Sequence, residues 1–136
     1  MPLLSRKGLL AITAVVDIAL HGRTGPVSAK ALAARNTLPP RHLEPVLQAL
    51  VREGILKGIR GPRGGYELGR EWNRITAEDI LRATDSLEEA ETKITASALL
   101  SDVVLPAIAQ AEQAFAGALA RISVQDLAQR VQQEPQ

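Results

Sequence analysis

The segment at residues 60–66, with the sequence RGPRGGY, constrains the fold of this chain more than any other. It places three glycines, one proline and two arginines within seven residues. Glycine reaches backbone conformations that other residues avoid, so this composition predicts a tight turn outside the packed core. Strand-like runs at residues 55–60 and 66–70 flank the turn. The whole segment is therefore predicted to be a β-hairpin with a cationic tip.

Two short helices separated by a tight turn are predicted before the hairpin. Ser28 is placed to cap the first helix, and the second runs over residues 40–53. The first is predicted to bury Ala31, Leu32 and Ala34. The second carries an i, i+3, i+4, i+7 stripe at Leu43, Val46, Leu47 and Leu50. A buried helix at residues 5–21, capped by Ser5, is predicted to brace them. With the hairpin, this order predicts a winged helix-turn-helix, which is a DNA-binding unit.

A long helix is predicted in the C-terminal third of the chain, at about residues 96–121. Thr76 and Asp79 predict a capping box for a shorter helix before it, and the acidic residues 85–95 predict a loop. Apolar residues spaced by 4, 3, 4, 3 and 4 form a heptad seam typical of dimerisation. The seam consists of Val104, Ile108, Ala111, Phe115, Ala118 and Ile122. Pro106 is predicted to kink the helix or to mark a late start.

Cysteine is absent from the 136 residues. Disulfides, thiolate zinc sites, cysteine-ligated iron–sulfur clusters and thiol redox sensing are therefore excluded. Only two histidines occur, and no motif gathers reactive groups, so we expect neither an enzyme nor a metal site nor a cofactor. No apolar run reaches the roughly 18 residues of a membrane span, and the N-terminus does not resemble a signal peptide. We expect a cytoplasmic protein with no membrane partner.

Formal charge is divided unevenly along the chain. Residues 1–75 hold 12 basic and 5 acidic side chains, a net charge of +7, whereas residues 76–136 hold 4 and 10, a net charge of −6. The basic first half predicts a polyanionic partner, double-stranded DNA, for that half alone. The alternative is a winged-helix adaptor that acts through protein contacts, for which a charge of +7 is not needed.

The residues predicted to contact DNA belong to the helix starts and the hairpin tip. They are Lys7, Ser28, Lys30, Pro40, Arg41, His42, Glu44, Arg60 and Arg63. Lys7 lies in the first turn of its helix, where a cation opposes the helix dipole; a nearby phosphate would offset this cost, the alternative being a solvated charge. Ser28 and Lys30 begin the second helix and are predicted to bind phosphate.

The third helix and the hairpin are predicted to read the DNA. Arg41 suits guanine or phosphate, and His42 suits a phosphate contact. Glu44 can accept a hydrogen bond from a cytosine amino group and so select sequence, the alternative being a solvated helical glutamate. Arg60 and Arg63 are predicted to enter a narrow minor groove or to bind phosphate, the alternative being a solvated hairpin tip.

Several motifs between residues 5 and 127 resemble one family. They are SRKGLLAITAVVDIAL, LPPRHLEPVLQALVREGIL, IRGPRGGYELGR, ITAEDILRATD and ISVQDL. They resemble the bacterial winged-helix repressors that include the iron–sulfur-cluster regulator IscR and the nitric-oxide-sensing NsrR. The resemblance implies a mainly α fold with a two-stranded β-wing, a homodimer joined by the long C-terminal helix, and a palindromic operator. Repression is favoured over activation.

The sequence departs from this family where cluster-binding members carry cysteines, at roughly residues 88–104. It offers oxygen ligands instead: Glu88, Glu89, Glu91, Thr92, Ser97, Ser101 and Asp102. Hard oxygens do not replace thiolates around a cluster, so no iron–sulfur cluster is expected. Three possibilities stay open for the signal: a small-molecule effector, a partner protein, or no ligand. The chain is predicted to divide into a DNA-binding domain at 1–84, an acidic loop at 85–95, and a dimerisation helix with a C-terminal cap at 96–136.

Overall fold

The computed structural model describes residues 5–85 and 98–133. Its helices are α1 (Arg6–His21), α2 (Ala29–Asn36), α3 (Pro40–Arg52), α4 (Ala77–Asp85), α5 (Leu105–Leu119) and α6 (Val124–Gln133). Strands β1 (Leu56–Ile59) and β2 (Gly65–Leu68) form an antiparallel hairpin after α3, followed by a 3-10 turn at Trp72–Arg74. The predicted fold, mainly helical with a two-stranded wing and a long C-terminal helix, is confirmed. The predicted acidic loop lies outside the described residues except for Asp85, which ends α4.

Local sequence determines where the helices begin. The hydroxyl oxygens of Ser5 and Ser28 accept hydrogen bonds from the backbone N–H groups three residues on, at 2.9 and 3.1 Å. Thr76 and Asp79 form the predicted capping box, because each side chain accepts from the other residue's backbone N–H at 3.1 Å. Each cap satisfies backbone donors that the first turn of a helix leaves without partners.

The predicted apolar stripe of α3 lies at the centre of the core. Leu43, Val46, Leu47 and Leu50 are each 0% exposed. They pack with apolar residues of α1, α4 and the wing in a single cluster. Burying four such side chains favours folding by roughly 2 kcal/mol each, and it fixes the opposite face of α3 toward solvent.

One predicted face was wrong. Helix α2 buries Leu32 and Ala33, whereas Ala34, predicted to be inside, is exposed. The reason lies at the end of α2. Asn36, one turn after Leu32, donates a hydrogen bond to the buried carboxylate of Asp17 on α1. This contact turns the side of α2 that carries Ala33 inward, and sequence periodicity within an eight-residue helix cannot reveal it.

The carboxylate of Asp17 joins α1 to the end of α2. It is 5% exposed and accepts from Arg35 Nε at 3.0 Å, Arg35 Nη2 at 2.7 Å and Asn36 Nδ2 at 2.8 Å. Burial acts most strongly on this carboxyl and would raise its pKa. The hydrogen bonds from Arg35 and Asn36, with the charges of Arg35 and His21, outweigh burial and hold the pKa of Asp17 below its usual value.

The wing is tied to the start of α2. Val27 and Tyr66 form an antiparallel bridge, with N–H to O distances of 2.9 and 2.8 Å. Within the wing, the register pairs Leu56 with Leu68 and Ile59 with Gly65. The bridge brings β2 beside the residue that precedes Ser28, so the wing and the capped start of α2 are neighbours.

Helix α5 begins later than the predicted helix at residues 96–121. A π-helical turn at Leu100–Val104 precedes it, and Pro106 lies in its first turn. Proline lacks the N–H that would bond the carbonyl four residues earlier and its ring crowds that carbonyl, so one regular helical hydrogen bond is lost at Pro106. Ala98, Leu99 and the π-helical turn are helical ahead of Pro106, so the choice between a kink and a late start stays a prediction.

Helix α6 returns to the N-terminal part of the chain. Val124 and Ala128 are 0% exposed, and Val124 belongs to the same core as the residues of α1. The backbone of Thr76 bridges that of Ser123. The division into three regions stays a prediction, although α6 packs with the first of them.

Among the helices that the structure describes, none is long and apolar enough to cross a membrane.

We predict that Asp17→Asn lowers the free energy of unfolding at neutral pH by about 2 kcal/mol. Loss of a buried pair often costs more, but Arg35 is 37% exposed and water can solvate its freed guanidinium. Because the pKa of Asp17 is lowered in the folded state, its contribution is present above the unfolded pKa of about 3.9 and is lost as the pH falls through the folded pKa.

Urea unfolding at several pH values measures both effects. The difference between wild type and Asp17→Asn should shrink as the pH falls below about 4. Glu78→Gln is the control, since it removes the ion pair between Glu78 and the exposed Arg82 and should cost less than about 1 kcal/mol. A constant difference at all pH values would contradict the role given to the Asp17 charge.

Candidate nucleic-acid interface

The outward face of α3 carries the candidate reading residues. Arg41, Glu44, Pro45, Gln48 and Arg52 are all exposed and recur at helical spacing, opposite the buried stripe. His42, also exposed, lies to one side of this row. Pro40 occupies the first helical position, as predicted, and no side chain caps α3 at Pro39. In this first turn Pro40 has no N–H, and the His42 N–H donates to the Pro39 carbonyl at 3.1 Å.

The starts of α1, α2 and α3 share an unusual electrostatic feature. Within the described residues, none of these three helices has an acidic residue in its first turn. Each instead carries a basic residue at its first or second position: Arg6, Lys30 and Arg41. A cation there opposes the positive end of the helix dipole, which costs a few tenths of a kcal/mol or more. An anion bound at these helix starts offsets that cost.

The candidate phosphate ligands differ in accessibility. Lys30 is exposed, whereas Lys7 and Ser28 are half-buried. The hydroxyl oxygen of Ser28 already accepts the capping hydrogen bond from the Ala31 N–H. Its hydroxyl proton is not used in that bond, so Ser28 keeps a donor for a phosphate oxygen.

The tip of the wing presents its two arginines to solvent. Arg60 and Arg63 are both exposed, and a backbone hydrogen bond of 2.9 Å from Gly64 N to Gly61 O closes the turn between them. Gly61 has φ of 117°, a conformation that glycine adopts far more easily than other residues. An open cleft of about 480 Å³ separates the wing from α3, with Gln48 and Arg60 among its lining residues.

Tyr66 lines this cleft and packs, partly buried, against the core. Burial raises the pKa of its hydroxyl, and the Glu44 carboxylate raises it further by opposing a phenolate. Tyr66 thus keeps its proton at neutral pH, and Glu44 lies on the side of α3 nearest the wing.

Pro45 was missed as a feature of α3. It is the sixth of the thirteen residues in this helix and is exposed. A proline inside a helix removes one backbone hydrogen bond and typically costs about 3 kcal/mol. Here the carbonyl of Arg41 loses its regular partner. The spacing of the apolar stripe predicted α3 correctly. Pro39 and Pro40 mark its start, but the spacing carries no sign of the third proline inside the helix.

The predicted dimerisation residues do not all lie on one helix. Ile108, Ala111, Phe115 and Ala118 share one face of α5, whereas Val104 belongs to the π-helical turn and Ile122 lies beyond Leu119, where α5 ends. The Ile122 carbonyl accepts from the Ala77 N–H at 2.8 Å, which draws the chain back to α4. The heptad spacing of the sequence is therefore interrupted in the structure at both ends.

The start of α5 leaves much apolar surface uncovered. Of seven large apolar side chains that are exposed in the described part of the chain, five lie at residues 99–108. They are Leu99, Val103, Val104, Leu105 and Ile108, each at least 41% exposed. In α5, which the structure describes in full, no residue is buried. Patches of this kind are typical of surfaces used for contact with another molecule.

A polar helix face beside a cationic wing defines the class of this protein as a winged helix-turn-helix, as used by DNA-binding transcriptional regulators. The chain belongs to the Rrf2 family, because the model of that family, described as an iron-dependent transcriptional regulator, matches residues 4–130. Members of this family are regulators and not enzymes, which confirms the prediction that the chain is not an enzyme.

Individual relatives agree with this assignment. IscR of Xenorhabdus nematophila, an HTH-type transcriptional regulator, is 37% identical over 87 residues, which cover 64% of this chain and 53% of that protein. The chain thus spans about half the length of the IscR relatives that it matches. The protein slr0846 of Synechocystis is 37% identical over 126 residues, which cover 91% of this chain and 86% of that protein.

Solved structures show the same fold. The IscR of T. potens is 30% identical with a TM-score of 0.76, and the match covers 98% of this chain and 92% of that one. CymR, the global cysteine regulator of B. subtilis, is 30% identical with a TM-score of 0.73, and the match covers 96% of this chain and 98% of that one.

The residues present do not fit an iron site of the kind that the family description suggests. Cysteine is absent from the sequence, and no group of three or more His, Asp or Glu side chains in the described ranges is placed to hold a metal ion. His21 contacts Asp17 at the end of α1, and His42 lies on α3. No step of the mechanism is therefore assigned to iron.

We predict that Gly65→Ala loosens the wing. Gly65 has φ of 157°, and a methyl group there would overlap the Val27 carbonyl, which accepts the Tyr66 hydrogen bond. The expected cost is about 2 kcal/mol in urea unfolding, together with faster trypsin cleavage after Arg60 and Arg63. Gly58→Ala is the matched control on β1, since nothing lies within 4 Å of its added methyl group. Equal stability of the two variants would contradict this account.

Proposed function

We propose that this protein is a sequence-specific DNA-binding transcriptional regulator that binds a palindromic operator as a homodimer and represses transcription. One observation carries the proposal. Three helix starts that lack acidic residues, and carry basic ones instead, lie in the same small domain as a wing tipped by Arg60 and Arg63. Phosphate groups are the partner that satisfies both features at once.

The Val27–Tyr66 bridge supports a shared binding surface. It seats the wing against the start of α2, so that Lys30 and Arg60 belong to neighbouring elements. Helix α3 lies next to the wing, because residues of both line the same cleft. We infer that Lys7, Ser28 and Lys30 bind phosphates on either side of a groove that α3 enters, and that these contacts set the orientation of the domain.

Base reading is assigned to the start of α3 and to the tip of the wing. Arg41 reaches guanine or phosphate, and His42 reaches the adjoining backbone. Glu44 accepts a hydrogen bond from a cytosine amino group. Arg60 and Arg63 extend from the wing into the neighbouring minor groove, where a narrow groove concentrates negative potential.

The uncovered surface of α5 supports a homodimer. A helix of fifteen residues without buried side chains is marginal in water on its own. A second copy that packs α5 against α5 buries Ile108 and its neighbours and gives the protein two-fold symmetry. A symmetric dimer reads two half-sites related by the same symmetry and spaced by one or more helical turns of DNA. A regulator held there represses by blocking polymerase.

Selection of genomic fragments with purified protein tests the proposal as a whole. The expected result is enrichment of fragments that share a two-fold symmetric sequence, with affinity that falls steeply as salt rises. Weak binding to every duplex at low salt would contradict the proposal and favour the winged-helix adaptor.

We predict that Arg60→Ala weakens binding to a selected operator about tenfold and lowers the salt slope by about one. Fluorescence anisotropy at several salt concentrations measures both quantities. Arg130→Ala is the charge-matched control, because Arg130 is exposed on α6 and lies outside the proposed interface. If both variants lose the same affinity, the wing has no specific contact with DNA.

We predict that Ile108→Asp dissociates the dimer, with a dissociation constant raised on the order of 100-fold, since an unpaired carboxylate would be buried in the interface. Sedimentation equilibrium should give twice 14.6 kDa for wild type and the monomer mass for the variant, with unchanged helix content. Gln113→Asp, on the opposite side of α5, should remain dimeric. If Ile108→Asp remains dimeric, the dimer interface does not include Ile108.

A further inference from the structure

The fold of this chain does not explain why residue 45 of α3 is a proline. It lies inside α3, where proline is the least favourable residue, and its side chain is exposed. Its neighbours Val46 and Leu47 are both 0% exposed, so the helix must continue through this point for the core to form. Because no core contact of Pro45 offsets the lost hydrogen bond, we expect its ring to contact another molecule.

The position of Pro45 on α3 indicates what it meets. It lies four residues after Arg41 and three before Gln48, in the exposed row opposite the buried stripe. That row faces the major groove if the protein binds DNA as proposed. Pro45 is the one apolar side chain in it, among two arginines, a glutamate and a glutamine.

The chemistry of the ring limits the base that it can recognise. Proline offers three CH₂ groups on a rigid ring, with neither donor nor acceptor, and loses no rotamer freedom on contact. In the major groove, the C5-methyl group of thymine is the apolar group that a base edge presents. We propose that Pro45 is a specificity-determining residue that packs against a thymine methyl group in each half-site. This inference rests on the proposed DNA-binding function.

A selected operator provides the test. Each thymine is replaced in turn by deoxyuridine, which removes only the methyl group. Wild type should lose about threefold to fivefold in affinity at one position of each half-site, in line with the loss of one buried methyl contact. Pro45→Ala should bind the unmodified operator more weakly by a similar factor, and it should no longer distinguish thymine from deoxyuridine at that position.

Two further measurements separate this contact from a purely structural role. Pro45→Ala should unfold at higher urea than wild type, because alanine restores the N–H that bonds the Arg41 carbonyl. A proline control, Pro106→Ala at the start of α5, should keep the wild-type preference for thymine. Together they exclude instability and general proline removal as causes of a lost preference.

The other outcomes contradict either the regulator proposal or the role of Pro45. If no duplex is bound with sequence preference, the regulator proposal fails and this inference fails with it. If an operator is found but wild type and Pro45→Ala respond equally to deoxyuridine at every position, only the role of Pro45 is overturned. If Pro45→Ala loses affinity for all duplexes alike, Pro45 shapes α3 rather than reading a base, and the inference is also overturned.

Discussion

The rest of the domain depends on a buried carboxylate that links α1 to α2. Asp17 is removed from water, which is costly for a charge unless partners replace the lost hydration. Arg35 and Asn36 supply three hydrogen bonds of 2.7 to 3.0 Å. Both residues stand at the end of α2, directly before Thr37, which adopts the left-handed conformation with φ of 53°. The buried charge therefore fixes the helix at the point where the chain turns toward α3.

The starts of the helices are of two chemically different kinds. At α4 and α6, acidic residues occupy the first turn, and the caps at Asp79 and Asp126 satisfy the backbone N–H groups internally. At α1, α2 and α3 the first turns carry cations and leave the dipoles without an opposing charge. The positive ends of α1, α2 and α3 are thus open to the outside anion that the proposed function supplies, whereas those of α4 and α6 are already opposed by acidic residues.

Features set by neighbours in sequence were predictable, and those set by distant residues were not. The caps at Ser5 and Ser28, the stripe of α3 and the wing all follow from spacings of a few residues. The burial of Ala33 does not, because it depends on Asp17, which is nineteen residues from the Asn36 that holds α2 in place. The wing and the face of α3 were predicted as separate candidates. Only the folded chain brings the Glu44 carboxylate near enough to Tyr66 to raise the pKa of its hydroxyl.

The stability of α5 connects the proposed dimer to the proposed recognition of DNA. No residue of α5 is buried in the single chain that the structure describes, so little within the chain holds this helix in place. A partner copy supplies the missing burial, and its concentration then enters the stability of the helix. The chain leaves α5 at Ile122, whose carbonyl bonds Ala77 in α4, and α6 rejoins the core through Val124. Ordering α5 therefore also fixes the distance between two recognition helices, which a palindromic operator requires. Dimer assembly and operator affinity are thus expected to rise together.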